Sequence, residues 1–182
     1  DNFKIARLPK VVTPPGDQVV IPGDTNASFS VDATGTNLTY QWQKNGVDIN
    51  GSTGTNLSLT NVQLADNNST YRVQVSNAVG SVMSRDALLM VGTAPVITTH
   101  PADRNATVGT NVAFTVDANG TAPLTYQWQK NGADLDGSTV ATLTLNSVQL
   151  GDAGAYRCVV TNPYGTATSN AANLTVGVAP VI

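Results

Sequence analysis

Glutamate is missing from this chain. All 12 acidic residues are aspartate, and cysteine and histidine occur once each. Each shortage removes a chemistry. Cys158 alone cannot form an internal disulfide, so the usual inference from paired cysteines to an oxidising compartment has no footing. Cys158, His100 and the aspartates supply neither a Cys-His nor a Ser-His-Asp constellation, and a zinc site would lack ligands. Glycoside hydrolysis requires two facing carboxylates, whereas Asp134 and Asp136 lie on one short loop. Asp-rich calcium loops are also lacking, and Gly92-Thr93-Ala94-Pro95 holds no carboxylate that could stiffen a joint through an ion. The sequence therefore reads as non-enzymatic, with no catalytic residue, no metal site and no cofactor.

Charge is equally scarce. Charged residues make up 12% of the sequence, against about 25% in an average soluble domain. A net charge of −3 gives no steering field toward nucleic acid or an anionic membrane, so neither partner is expected. No run of 18 apolar residues is present, which argues against membrane insertion, and the first residues lack the pattern of a secretory leader.

Thr, Asn, Ser and Gln supply the polarity instead. Together with valine, threonine suits pleated strands, so the bias predicts an all-β protein. The sequence of 182 residues also repeats itself. Tyr40-Gln41-Trp42-Gln43-Lys44-Asn45-Gly46 returns as Tyr126-Gln127-Trp128-Gln129-Lys130-Asn131-Gly132, and the echo continues through Leu57 and Leu143, Val62 and Val148, and Tyr71 and Tyr156, always 85 or 86 residues apart. Val91-Gly92-Thr93-Ala94-Pro95-Val96-Ile97 likewise returns as Val176-Gly177-Val178-Ala179-Pro180-Val181-Ile182.

The repeat predicts a linker or tail over 1–10, domain 1 over 11–92, domain 2 over 93–177, and the start of a third copy at 178–182 in a longer modular protein. Period-two runs such as Ala27-Ser28-Phe29-Ser30-Val31 and Val112-Ala113-Phe114-Thr115-Val116 read as half-buried strands. Frequent turn signals, among them Pro22-Gly23, Asn45-Gly46, Asn50-Gly51 and Asn131-Gly132, predict a sandwich or barrel. Single helical turns are expected near Gln63–Asp66 and Gln149–Asp152. The four residues at the boundary span at most about 14 Å, so limited bending is expected there.

These residues resemble immunoglobulin-like domains, most closely the I-set type, in tandem across about 11–177. Trp42 and Trp128 hold the place of the family's core tryptophan. Asp152-Ala153-Gly154-Ala155-Tyr156-Arg157-Cys158 carries its full Asp-x-Gly-x-Tyr-x-Cys signature. The first copy, Asp66-Asn67-Asn68-Ser69-Thr70-Tyr71-Arg72-Val73, is one residue longer and lacks the glycine, so a distorted tyrosine corner is expected there. The resemblance implies two β-sandwiches of Greek-key topology. It also implies that Val31 with Val73, and Val116 with Cys158, occupy the family's disulfide positions. A bridge over 42 residues would contribute about 4 kcal/mol, and packing around each tryptophan must replace it.

The expected structural core is therefore Trp42, Trp128, Tyr71, Tyr156, Val31, Val73, Val116 and Cys158, with Tyr40 and Tyr126 on the same inward face. His100 reads as a lone surface histidine, and Lys44 and Lys130 as solvent-facing. Asn162, Pro163 and Tyr164, at the tip of the last hairpin, form the candidate ligand contact, with Tyr164 as an exposed ring. Sequons at Asn26, Asn56, Asn105 and Asn173 are unsurprising in a sequence so rich in Asn and Thr.

Disulfide-free repeats of this composition resemble those of large bacterial secreted and surface proteins. That resemblance implies an extracellular, monomeric spacer and interaction repeat whose partners are flanking domains of the same polypeptide, with polysaccharide or a surface protein as possible ligand. The alternatives are an accessory carbohydrate-binding module of a secreted polysaccharide-degrading enzyme, and a cell-adhesion fragment that binds protein partners.

Overall fold

The computed structural model describes residues 6–24 and 27–179. Asn26, residues 1–5 of the tail, and Pro180-Val181-Ile182 of the expected third copy lie outside the described residues. The protein separates into two compact units at Gly92 and Thr93. Both are all-β, and among the described residues the helical content is two single 3₁₀ turns, Leu64–Asp66 and Leu150–Asp152.

In the first unit the strands are β1 (Lys10–Thr13), β2 (Gln18–Val20), β3 (Ser28–Ser30), β4 (Asp32–Thr34), β5 (Thr39–Lys44), β6 (Val47–Asp48), β7 (Asn56–Ser58), β8 (Ser69–Asn77), β9 (Gly80–Met83) and β10 (Ala87–Val91). One sheet runs β2-β10-β8-β5-β6, with β9 also paired to β8. The opposing layer is built from the ladders β1-β4 and β3-β7. The second unit repeats this plan with β11 (Val96–Thr99), β12 (Arg104–Thr107), β13 (Val112–Thr115), β14 (Asp117–Asn119), β15 (Thr125–Lys130), β16 (Ala133–Asp134), β17 (Thr142–Leu145), β18 (Gly154–Asn162), β19 (Gly165–Thr168) and β20 (Ala172–Gly177). Its main sheet runs β12-β20-β18-β15-β16.

The first strand of each unit changes sheets. β1 pairs antiparallel with β4, and the backbone then crosses to place β2 parallel to β10. Pro14-Pro15 stands at that crossing, and Pro101 at its counterpart. Prolines lack the N–H that would continue the first ladder, so the strand is released where it must cross.

Period two governs the burial. In β8 the side chains of Ser69, Tyr71, Val73 and Val75 are buried while their neighbours are half-exposed, and β20 alternates in the same way. Three rings form the centre of each core. Phe29 stacks on Tyr71 with centroids 4.7 Å apart and tilts against Trp42 at 6.4 Å. Phe114 stacks on Tyr156 at 5.0 Å and tilts against Trp128 at 6.3 Å. Such pairs add about 0.5–1.5 kcal/mol beyond the area they bury. The indole N–H of Trp42 donates to the Gly54 carbonyl, and that of Trp128 to Val140, both at 2.9 Å, so neither buried donor is stranded.

Val31, Val73, Val116 and Cys158 are all buried within these two clusters. Each valine is worth about 1.5–3 kcal/mol when buried, so apolar packing occupies the positions where the family's bridge would stand. Tyr40 and Tyr126 are half-buried against the same cores.

Candidate interaction surface

The hairpin between β18 and β19 was the expected contact site, and its three residues are placed very differently. Asn162 is buried. Its Nδ2 donates to the carbonyls of Thr93 and Thr121, both at 2.8 Å, and its Oδ1 accepts the Tyr164 N–H at 2.9 Å. This corrects the assignment of Asn162 as a ligand contact, because every hydrogen-bonding group of its amide is used inside the domain. Asn77 does the same work in the first unit, bonding Arg7 and Thr36 through Nδ2 and Val79 and Gly80 through Oδ1. Pro163 is exposed, but the ring of Tyr164 is half-buried rather than free.

Other singled-out residues are also tied down. His100 is exposed, and its Nδ1 accepts the Asn170 N–H at 3.0 Å, so it pins the sheet-crossing segment to the turn before β20. Cys158 is fully buried, and burial pushes its thiol above the ordinary value, against a smaller opposing effect of a backbone hydrogen bond from Gln127. Lys44 and Lys130 are half-buried, not solvent-facing. Each ammonium lies over a tyrosine ring, 5.9 Å from the Tyr71 centroid and 5.8 Å from that of Tyr156.

The two tyrosine corners differ as the extra residue led us to expect. Tyr156 Oη donates to the Asp152 carbonyl at 2.6 Å, and Gly154 turns the backbone at φ +151°, where an added Cβ would lie 2.9 Å from the Asn131 side chain. In the first unit the inserted residue is absorbed by Asn68, in left-handed conformation at φ 64°. Among the described residues Tyr71 makes no such bond to a turn carbonyl. Lys44 Nζ instead meets Asp66 Oδ1 at 2.6 Å, whereas Lys130 donates to the Gly151 carbonyl at 2.6 Å. The Lys44 bond is the main reason the Asp66 carboxyl sits below its ordinary value, and the Gln63 N–H adds to it. The same bond raises Lys44.

A cleft of about 320 Å³ opens beside β7, with Lys44, Ile49, Leu57, Leu59, Asp66 and Tyr71 among its walls. Its two charged groups already neutralise each other.

A hydrogen-bonded polar ladder lies on the outer face of each main sheet. In the second unit Gln129 Nε2 donates to Asp134 Oδ1 at 2.8 Å, and Arg157 Nε donates to Gln129 Oε1 at 2.7 Å. The first unit repeats this ladder with Asp48, Gln43 and Arg72, both bonds at 2.7 Å. There Asp86 stands 3.9 Å from the Arg72 guanidinium. Ala171 occupies the matching place in the second unit, and among the described residues Arg157 has no carboxylate partner. A guanidinium oriented through Nε keeps its remaining N–H groups available to an acceptor on a partner. This ladder was missed in the sequence, although its signal was there, in three polar positions repeated at the spacing of the core motif.

Among the described residues no group of three His, Cys or Asp side chains is arranged to hold a metal ion, and no helix is long and apolar enough to cross a membrane. Residues 94–162 match the family model described as "Immunoglobulin domain". The first unit is the internal copy of that segment, with the same strands, the same buried tryptophan and the same ring cluster. The chain is a tandem of two immunoglobulin-like domains. Drosophila OTK, extracellular domains 3–5, superimposes on 94% of this tandem and 62% of its own length with a TM-score of 0.75 at 21% identity, and immunoglobulin domains 1–4 of Sidekick-1 give 0.74 at 22% identity over 97% of the tandem and 51% of that protein. At such identities the likeness is one of fold.

Among curated relatives, Endoglucanase C of Cellulomonas fimi is 35% identical over 183 residues, covering 94% of the tandem and 16% of the relative. Kin of IRRE-like protein 3 of Homo sapiens is 33% identical over 144 residues, covering 79% of the tandem and 18% of the relative. The tandem thus spans less than a fifth of either protein.

Proposed function

We propose that this tandem is a non-enzymatic spacer and interaction repeat within a large secreted or cell-surface bacterial multidomain protein. The observation that carries the reading is the match to Endoglucanase C, which runs along nearly the whole tandem yet occupies only 16% of that protein. Such a segment is an appended unit in a longer polypeptide. The polar groups agree with it, since Asn77, Asn162, Trp42, Trp128, Lys44 and Lys130 all spend their hydrogen bonds on their own domain. The boundary residues are likewise bonded each into its own unit. The Gly92 N–H donates to Val20 in the first, and the Thr93 N–H to Thr121 Oγ1 in the second.

The same match favours a second reading, an accessory carbohydrate-binding unit of a polysaccharide-degrading enzyme. Its contact residues would be Pro163 and Tyr164, with Arg157 as the oriented donor. Binding of the tandem to a panel of polysaccharides, alongside Tyr164→Ala and Arg157→Ala, separates the two. The spacer reading expects no specific binding by any of the three proteins. Specific binding that either substitution abolishes would overturn it in favour of carbohydrate recognition.

A further inference from the structure

We propose that Asn50 is a site of spontaneous deamidation, opened by the fold at one Asn-Gly pair and closed at the others. The sequence holds four such pairs, Asn45-Gly46, Asn50-Gly51, Asn119-Gly120 and Asn131-Gly132. In the reaction the backbone nitrogen of the glycine, once deprotonated, attacks the asparagine Cγ. The new C–N bond forms, the bond from Cγ to Nδ2 breaks, and the departing nitrogen takes up a proton and leaves as ammonia. Water then opens the cyclic imide at either carbonyl to give aspartate or isoaspartate. Nothing is oxidised or reduced. The requirement is geometric: Cγ must be free to swing onto the next residue's nitrogen.

Three pairs deny that freedom. Asn45 and Asn131 sit in left-handed conformation at φ 50° and 51°. Each is held twice to the neighbouring strand: the backbone N–H donates to the carbonyl of Thr70 or Ala155, and Oδ1 accepts the N–H of the same residue at 2.8 or 2.9 Å. Their carboxamides therefore point away from the following glycine. Asn119 belongs to β14 in register with Val96, and the backbone of Pro95 would lie 3.1 Å from a Cβ on Gly120. There the restraint is on the backbone, held by the ladder and by Pro95, and the exposed Asn119 carboxamide itself has no hydrogen-bond partner among the described residues.

Asn50 has neither the left-handed backbone and strand anchoring of Asn45 and Asn131 nor the strand pairing of Asn119. With Gly51 it forms the exposed middle of a turn closed by the Ser52 N–H on the Ile49 carbonyl at 3.1 Å. Among the described residues its carboxamide has no hydrogen-bond partner, and nothing lies within 4 Å of a Cβ placed on Gly51. The second domain shows what the aspartate product would cost the fold. Asp136-Gly137 occupies the same turn, with the Ser138 N–H on the Leu135 carbonyl at 3.1 Å and Gly137 at φ 71° against 77° for Gly51. A carboxylate is at home there, so conversion of Asn50 to aspartate carries the first domain to the state the second already has and makes the protein one unit more negative.

The test is prolonged incubation of the folded protein at mildly alkaline pH, followed by peptide mapping with mass spectrometry. A parallel sample is kept in concentrated urea. In the folded protein Asn50 is expected to convert an order of magnitude faster than Asn45, Asn119 or Asn131. In urea the four pairs should convert at comparable rates. Persistence of the Asn50 amide in the folded sample while the unfolded one loses it would overturn the proposal, as would conversion of Asn45 or Asn131 at the Asn50 rate. Asn50→Asp should unfold at the wild-type urea midpoint, and a large loss would contradict the equivalence with Asp136.

Discussion

The amide of Asn162 has two donor hydrogens and one carbonyl oxygen, and the domain occupies all three. Removing it strands two carbonyls and one N–H at a buried position, so Asn162→Ala should cost about 1–3 kcal/mol in urea unfolding of the second domain. The conservative Asn162→Asp should cost nearly as much, because a carboxylate cannot donate to Thr93 and Thr121. A ligand-contact role would instead leave stability untouched. Ser169 makes a similar case: its Oγ accepts the Cys158 N–H at 2.9 Å and donates to the Asn170 carbonyl at 2.8 Å. Beside it the Cys158 thiol is buried and shifted up, which keeps it in the unreactive protonated form. Titration with a thiol-specific disulfide reagent should therefore give no reaction in the folded protein and one equivalent after denaturation. Rapid labelling of the folded protein would refute the buried assignment.

At the scale of single elements, the turn before β8 differs from that before β18 through one inserted residue. Sequence reading foresaw the difference but not its form. Length and the missing glycine announced a changed corner, while the pairing of Lys44 with Asp66 depends on where a flexible lysine settles, which no local pattern encodes. The pair has a pH signature. Asp66 is depressed in the folded state, so its contribution is complete above the unfolded value of about 3.9 and is lost as pH falls through the folded one. Lys44 is raised, so its contribution is complete below about 10.4 and disappears as pH rises through its folded value. With the two side chains 37% and 27% exposed, screening limits the effect to about 0.2–1 kcal/mol. Lys44→Met should thus be less stable than wild type at neutral pH, and the gap should close below about pH 4. Urea midpoints across that range would measure it, and a constant gap would mean that only packing was lost. The strands and the tryptophan core were legible because period two and the doubled motif act locally. Phe29 and Phe114 were visible only as strand residues, since their stacking on Tyr71 and Tyr156 joins positions 42 residues apart in the sequence. Asn162 misled for the opposite reason: polar residues at a hairpin tip usually face water, and here the incoming segment at Thr93 folds over it.

On the scale of the whole molecule, each unit has its own hydrophobic cluster, built among the described residues from its own strands. Units of about 90 residues are near the lower range in which a single core suffices. Cutting between Gly92 and Thr93 should therefore give two fragments that each fold and unfold as separate two-state units. Their stabilities should not respond alike to loss of the tyrosine hydroxyl. Tyr156 Oη donates across the corner to Asp152, so Tyr156→Phe should remove about 0.5–1.5 kcal/mol from the second fragment. Tyr71 lacks that bond, and Tyr71→Phe should change the first fragment much less. Equal losses would mean that the first corner closes in solution as the second does, and that the inserted Asn68 is absorbed elsewhere. A fragment that failed to fold alone would contradict the independence of the cores, and with it the view of each domain as a unit that can be appended to a longer polypeptide without help from its neighbour.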